Sequence, residues 1–249
     1  MAFYTQILDF DDRNDLARPN GVWDLGSAEA AELTKLAETT YRDVNIAWAN
    51  TFARHADTVG VDIHQVIEAA NSQPYSHIHS PGVAVGGHCI PVYPRFYLAG
   101  DPDAELVRTA REVNQAMPHH TVALLQKMMG SLGGRTVLVL GAAYRGGVKE
   151  SAFSGVFDVV GALQAAGARA VVHDPLYSDA ELQTLGLSAH QADQPVDGAI
   201  VQADHAEYRT LSAADFPELT AIVDGRGVLD ATLWGDVAFA RVGDGQTAV

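Results

Sequence analysis

The residues best equipped for chemistry lie in one stretch, Pro81-Gly82-Val83-Ala84-Val85-Gly86-Gly87-His88-Cys89-Ile90-Pro91, which holds the chain's single cysteine. A lone cysteine has no intrachain disulfide partner, so Cys89 is either a small buried apolar residue or a reactive thiol. Gly86 and Gly87 free the backbone to approach a ligand closely, and the prolines on both sides stiffen the segment. Composition alone favours the inert cysteine; the neighbours favour a nucleophile. His77, His79, His88 and Cys89 are a conceivable metal set, but they lack the helical i, i+4 spacing and a defined third or fourth ligand, so no metal is expected. Lys35 is one of three lysines in the chain and shares an approximate helix face with Arg42 and Asn45. An ammonium beside a thiol favours the thiolate and stabilises an oxyanion; on spacing alone, an ordinary solvated helix face is the competing reading.

A second group follows in Gly141-Ala142-Ala143-Tyr144-Arg145-Gly146-Gly147, with Lys149 just beyond. It lacks both the G-x-G-x-x-G dinucleotide fingerprint and the Walker A pattern. Its place at the end of a first parallel strand is where such sheets bind ligands, so Arg145 and Lys149 could meet a phosphate there. An ordinary strand–helix connection remains open.

These groups must be positioned by a chain of 249 residues that is 47% hydrophobic, enough for one large or two medium domains. The net charge of −15, from 31 acids and 16 bases, disfavours nucleic acid and anionic membrane as partners. One cysteine argues against a disulfide-stapled secreted fold. The first residues lack a signal-peptide pattern, and no apolar run approaches the roughly 20 residues of a membrane span. A cytoplasmic protein is expected.

Residues 3–10 read as a short helix, followed by an acidic loop and an extended Gly21–Leu25 segment. Ser27 is a plausible N-cap with acids in the first turn, and apolar residues then recur at helical spacing, so a long helix is expected over residues 28–57, ended by Gly60. A second helix is expected over 63–70, then a Gly/Pro-rich loop over 71–94, then helices at 104–115 and 119–129 broken near Pro118. From Arg135 the pattern changes. Strands at 136–140, 168–173, 198–202 and 220–223 alternate with helices at 154–166 and 181–185, which implies an α/β, doubly wound parallel sheet. The domain reading is 1–26 as a remnant, 27–133 as a central helical domain carrying the cysteine loop, and 134–249 as a Rossmann-like domain.

The runs Ala31-Glu32-Leu33-Thr34-Lys35-Leu36-Ala37-Glu38-Thr39-Thr40-Tyr41-Arg42-Asp43-Val44-Asn45 and Gly86-Gly87-His88-Cys89-Ile90-Pro91 resemble the nucleotide-sugar 6-dehydrogenases. This is the UDP-glucose, UDP-N-acetylmannosamine and GDP-mannose dehydrogenase family. Tyr144-Arg145, His173-Asp174-Pro175, Asp204-His205 with Tyr208, and Val223-Asp224-Gly225-Arg226 extend the resemblance, in register, over about residues 20 to 235. It implies a central helical domain that dimerises through the long helix 28–57 and a C-terminal domain that binds the nucleotide diphosphate. It also implies that residues 1–26 are the tail of an absent NAD-binding Rossmann domain. The family oxidises the sugar C6 alcohol to a carboxylate with NAD. Carried over by motif, Cys89 would be the nucleophile toward the intermediate aldehyde and Lys35 the stabiliser of its oxyanion. Tyr75, Ser76, His77, Gly86, Gly87 and His88 would cradle a nucleotide sugar, most simply a UDP-sugar. Tyr144, Arg145 and Lys149 would approach it from the C-terminal domain.

Two catalytic positions depart from the family pattern. Thr39 stands where asparagine is usual and Tyr93 where aspartate is usual, positions that organise water and the oxyanion during hydrolysis. Lacking a dinucleotide fingerprint, the chain alone is expected to bind no NAD in the family's manner. The alternative expectation is a truncated homologue repurposed as a non-redox enzyme or as a nucleotide-sugar-binding or scaffold protein.

Overall fold

The structure, a computed structural model, describes residues 2–11 and 20–246. After a short helix α1 (Ala2–Ile7), with no buried residue, the chain enters α2 (Ala28–Val59). Ser27 caps α2 by accepting from the Ala30 N–H at 3.1 Å. Gly60 ends it in the left-handed conformation, φ 73°, which a residue without Cβ adopts freely. Helix α3 (Ile63–Ala70) is capped by Asp62 and matches its expected bounds.

Two helices differ from expectation. The cysteine loop ends sooner, because α4 (Tyr93–Gly100) begins at Tyr93, with Pro94 in the first turn where a missing N–H costs nothing. The expected break near Pro118 does not occur: α5 runs unbroken from Glu105 to Met129. An internal proline costs about 3 kcal/mol. Here the helix is buried on both sides of it, with Met117 and Leu125 at 0% exposure, and packing against α2 holds it helical.

The remainder is a five-stranded parallel sheet, order β2-β1-β3-β4-β5. Its strands are β1 (Thr136–Leu140), β2 (Arg169–His173), β3 (Gly198–Val201), β4 (Ala221–Asp224) and β5 (Ala238–Arg241). They are short, rich in Val, Ile and Ala, and β1, β3 and β4 are buried throughout, as expected of a central parallel sheet. Strand β5 was not anticipated; it is an edge strand with only Ala240 fully buried. Helices α6 (Val156–Ala165) and α7 (Asp179–Thr184) lie in the β1–β2 and β2–β3 crossovers. Helices α5 and α6 cover one face and pack on each other, so the helical part and the sheet share one core cluster. The chain reverses its winding between β1 and β3, and the carboxyl ends of strands at such a switch point are where open parallel sheets bind ligands.

The chain after β5 returns to the helical part. The Gly243 N–H donates to Asp57 of α2 at 3.1 Å, and the Ile63 N–H donates to the Gly243 carbonyl at 2.8 Å.

Candidate active site

The cysteine loop lies between α2 and the carboxyl ends of the strands, held from both sides. On the helical side a buried polar chain does the holding. Arg111 of α5 grips Asp43 of α2 with two nitrogens, each 2.7 Å from a carboxylate oxygen. Asn114 donates to the same carboxylate at 2.7 Å, and Asn50 donates to Asn114 at 2.9 Å. The Asn50 oxygen then accepts from the loop's Gly82 N–H at 3.0 Å. One turn earlier, Asn45 accepts from the His79 N–H and donates to the His77 carbonyl, both at 2.8 Å. Burial pushes the Asp43 carboxyl up, against the pull of Arg111 and Asn114, and it pushes the Arg111 guanidinium down. Desolvation thus exceeds attraction for each partner, so the pair specifies geometry more than it adds stability.

On the sheet side the loop is seated by close backbone approach. The Val83 N–H donates to the carbonyl of Gly225, just past β4, at 3.0 Å. A Cβ on Gly86 would lie 2.8 Å from Tyr144 Cβ and 2.9 Å from the Phe153 carbonyl oxygen, so only glycine fits. Gly87, at φ 94°, lies against the Tyr144 ring, and Gly155 leaves just enough room for Ala84. Phe153 itself is at φ 53°, a strained value for a bulky residue and of the kind that collects at functional sites. His88 reaches across to Glu150 at 3.3 Å. Glu150, despite its exposure, is held below the usual carboxylate range, first by the Ala152 N–H and then by His88.

Cys89 follows as a half-buried free thiol whose carbonyl accepts from the Tyr93 N–H at 2.9 Å and so opens α4. Lys35 reaches this corner from α2: its ammonium lies 5.5 Å from the centre of the Tyr93 ring and pairs with Glu38 at 3.0 Å. Glu38 is shared, since Arg42 Nε also contacts it at 2.9 Å. The structure therefore brings Lys35, Tyr93 and the Cys89 turn together.

Other sequence candidates are placed differently. Thr39 is fully buried, and its hydroxyl donates to the Lys35 carbonyl at 2.7 Å within its own helix, not toward the thiol. Tyr75 is 93% exposed, and Ser76 receives a hydrogen bond from Gln73, so both stand out from the loop's seated portion. His77 contributes its carbonyl to Asn45 while its side chain is exposed. Tyr144 forms the wall against Gly86 and Gly87, and Arg145 lies 5.8 Å from the Tyr144 ring centre. Lys149 is engaged elsewhere: it pairs with Glu181 and lies 5.2 Å from the centre of the Tyr177 ring, on the β2–α7 side. No group of three or more His, Cys, Asp or Glu side chains among the described residues forms a metal shell.

Of the polar residues around the loop, Gln202 was not singled out from sequence, Arg226 entered only within the resemblance motif, and His79 only as a conceivable metal ligand. Arg226, after β4, donates from Nε to the Gln202 carbonyl at 2.6 Å, and one terminal nitrogen lies 3.7 Å from where a Gly82 Cβ would be. Burial lowers its guanidinium, offset by Asp204 and Asp224. Gln202 donates to the Ala143 carbonyl and the Ser154 hydroxyl, both at 3.0 Å, while its buried Oε1 has no protein partner. His79 Nε2 on the loop is likewise buried and unpartnered.

The turn after β1 decides one question. The Ala142 and Ala143 N–H groups, which in a dinucleotide fold would face a pyrophosphate, donate at 2.8 and 2.9 Å to one oxygen of Asp174. His205 Nε2 lies 3.0 Å from that oxygen, and the Gly147 N–H donates to Nδ1 at 3.3 Å, so the imidazole proton sits on Nε2. Burial pushes Asp174 up, but these hydrogen bonds together hold it below its ordinary value. A carboxylate thus fills the anion position, and the turn does not fit the pyrophosphate of NAD.

A parallel sheet that reverses its winding between β1 and β3, faced at its carboxyl ends by a glycine-rich loop carrying the free Cys89, has the arrangement in which open α/β sheets bind ligands. Comparison with known proteins sharpens this. Residues 29–116 match the UDP-glucose/GDP-mannose dehydrogenase family, central domain, and residues 138–231 match that family's UDP binding domain. The chain belongs to this family. It is 35% identical over 235 residues to the UDP-N-acetyl-D-mannosamine dehydrogenase of Methanocaldococcus jannaschii, covering 90% of this chain and 54% of that protein. With the NDP-N-acetyl-D-galactosaminuronic acid dehydrogenase of Ralstonia nicotianae it shares 33% identity, covering 82% of this chain and 49% of the other. The solved UDP-D-ManNAc dehydrogenase of Pyrococcus horikoshii superposes with a TM-score of 0.76 at 30% identity, over 88% of this chain and 53% of that one. The chain therefore spans about half the length of the relatives it matches.

Proposed function

We propose that this chain binds a UDP-sugar in the crevice between the cysteine loop and the carboxyl ends of β1, β3 and β4, and presents Cys89 to the sugar's C6. The observation that carries this is the seating of the Gly86-Gly87-His88-Cys89 turn directly on Tyr144. Beside the loop at the strand ends lie the half-buried Arg226 and the buried, unpartnered Gln202 Oε1, groups of the kind that a ligand satisfies. In this reading the Cys89 thiolate adds to a C6 aldehyde, and Lys35 stabilises the resulting oxyanion. The hydride acceptor of such a dehydrogenase is NAD, and no step through it is assigned to the residues described here, because the β1 turn is filled by Asp174. Residues 2–11 fit the tail of a further domain, since Phe3, Tyr4 and Ile7 of α1 are all exposed.

The same reading includes a homodimer through α2. Leu33, Tyr41, Trp48 and Phe52 recur at helical spacing and are 41–56% exposed, an apolar stripe that a second copy would cover. Sedimentation should give a dimer mass, and a monomer at micromolar concentration would remove this part.

The alternative, a nucleotide-sugar-binding homologue without the redox step, is favoured by one observation: Tyr93 replaces the usual aspartate and stacks on Lys35. Calorimetry with UDP-N-acetylmannosamine, UDP and GDP-mannose tests the shared part. One saturable site per chain for UDP ligands is expected, weakened about tenfold or more by Gly86→Ala, whose methyl would push the loop off Tyr144. No heat with any of the three would overturn the site.

A further inference from the structure

The far face of the sheet carries a second, unassigned cavity. Leu125 of α5, Val159 of α6 and Leu182 of α7 belong to the core cluster on one face. The opposite face, with Leu138, Leu140, Val171 and Val201, is roofed by 3-10 turns at 206–210, 213–215 and 231–233. These short turns place Tyr208 and Trp234 over the sheet but leave a cavity of about 550 Å3 beside them. That is far larger than the water-sized voids of a packed core and lies in the range of small-molecule sites.

Its chemistry differs from that of the nucleotide crevice. The floor is Leu138 and Leu140, and the walls are Tyr208, Leu211 and Phe216. The Phe216 ring is backed by Trp234 in a stack at 6.4 Å, so this wall is rigid. The Tyr208 hydroxyl donates to the His173 carbonyl at 2.9 Å, which fixes the other wall. The rim carries the carboxylates of Asp179 and Glu207 and the imidazoles of His173 and His190, with no lysine or arginine in the lining. Burial pushes the His173 imidazole down, which disfavours its charged form. An apolar slot with aromatic walls and an anionic rim accepts a flat ring bearing a cation, and it repels phosphates and carboxylates.

We propose that this cavity is a binding site for a small cationic aromatic or heteroaromatic molecule, separate from the nucleotide-sugar crevice. The full chain is titrated by calorimetry with tryptamine, which joins an indole to an ammonium, then with indole-3-acetate and with n-butylamine. Saturable binding of one tryptamine per chain is expected, at least tenfold tighter than indole-3-acetate, with no saturation by n-butylamine. The double variant Asp179→Asn, Glu207→Gln should abolish the preference for tryptamine over indole-3-acetate. Leu211→Trp, at a half-buried wall position, should fill the slot and eliminate binding, with a thermal melt confirming that it folds. Prior saturation with UDP should leave the tryptamine isotherm unchanged, which separates this site from the crevice. No saturable tryptamine binding, equal affinity for the two indoles, an unaltered preference in the double variant, or competition by UDP would each overturn the proposal.

Discussion

Three residues shape the turn that carries Cys89: Gly87, which lies against Tyr144, Tyr93, whose N–H fixes the Cys89 carbonyl, and Lys35, over the Tyr93 ring. If the Lys35 ammonium supports the thiolate, Lys35→Met should slow alkylation of Cys89 by iodoacetamide about three- to tenfold at pH 7. An unchanged rate would assign Lys35 to the Glu38–Arg42 surface network alone. The second lysine singled out from sequence has a different role. The hydrogen bond from Lys149, followed by those from Ser178, holds the Glu181 carboxyl down to about 2. NMR titration of the carboxyl carbon should show Glu181 moving up toward the ordinary range in Lys149→Met, and no movement would contradict the pairing. Sequence made the cysteine and its glycines legible because their types are unusual in combination. It gave Arg226 only as part of a motif and did not single out Gln202, because their places beside the loop arise where β3 and β4 end, a tertiary fact.

Among the elements, α2 is the organiser. It carries Asp43, Asn45 and Asn50, each of which reaches the loop or the α5 residues behind it. Breaking this chain is costly: Asp43→Ala leaves Arg111 buried without its partner, a loss of about 3–5 kcal/mol. For a protein of this size that lowers the melting temperature by on the order of 10 °C, measurable by calorimetry. A shift within a degree or two would show that the network is not cooperative with folding. Helices α2 and α3 were legible because their caps, Ser27, Gly60 and Asp62, agree with their apolar spacing. Helix α5 was not, because Pro118 signals a break locally, and only packing against α2 overrides it. Helix α4 was hidden by its Tyr93-Pro94 start within a loop-like run, and β5 by an edge position that leaves little hydrophobic pattern.

At the scale of the molecule, the loop joins a helical part to a parallel sheet, and both sides must hold for the crevice to exist. The sheet side depends on Asp174, which ties the Ala142-Ala143 turn to His205. Its folded-state value is depressed, so its contribution is complete above the ordinary carboxylate value of about 3.9 and is lost as pH falls through the folded value. Asp174→Asn should therefore be less stable than the parent at pH 6, and the gap should close as the pH drops through the depressed folded value. A gap independent of pH would mean that the carboxylate charge is not what holds the turn. The parallel-sheet architecture was legible from alternating strands and helices. The bareness of its far face was not, because 3-10 turns leave no periodic signature.

If Cys89 lies in the proposed UDP-sugar site, a bound UDP-sugar must shield its thiol. Alkylation of Cys89 is followed by mass spectrometry with and without saturating UDP-N-acetylmannosamine, and with ATP as a control nucleotide. The UDP-sugar is expected to slow modification at least tenfold, while ATP leaves it unchanged. Modification at the same rate in all three conditions would contradict this placement of Cys89.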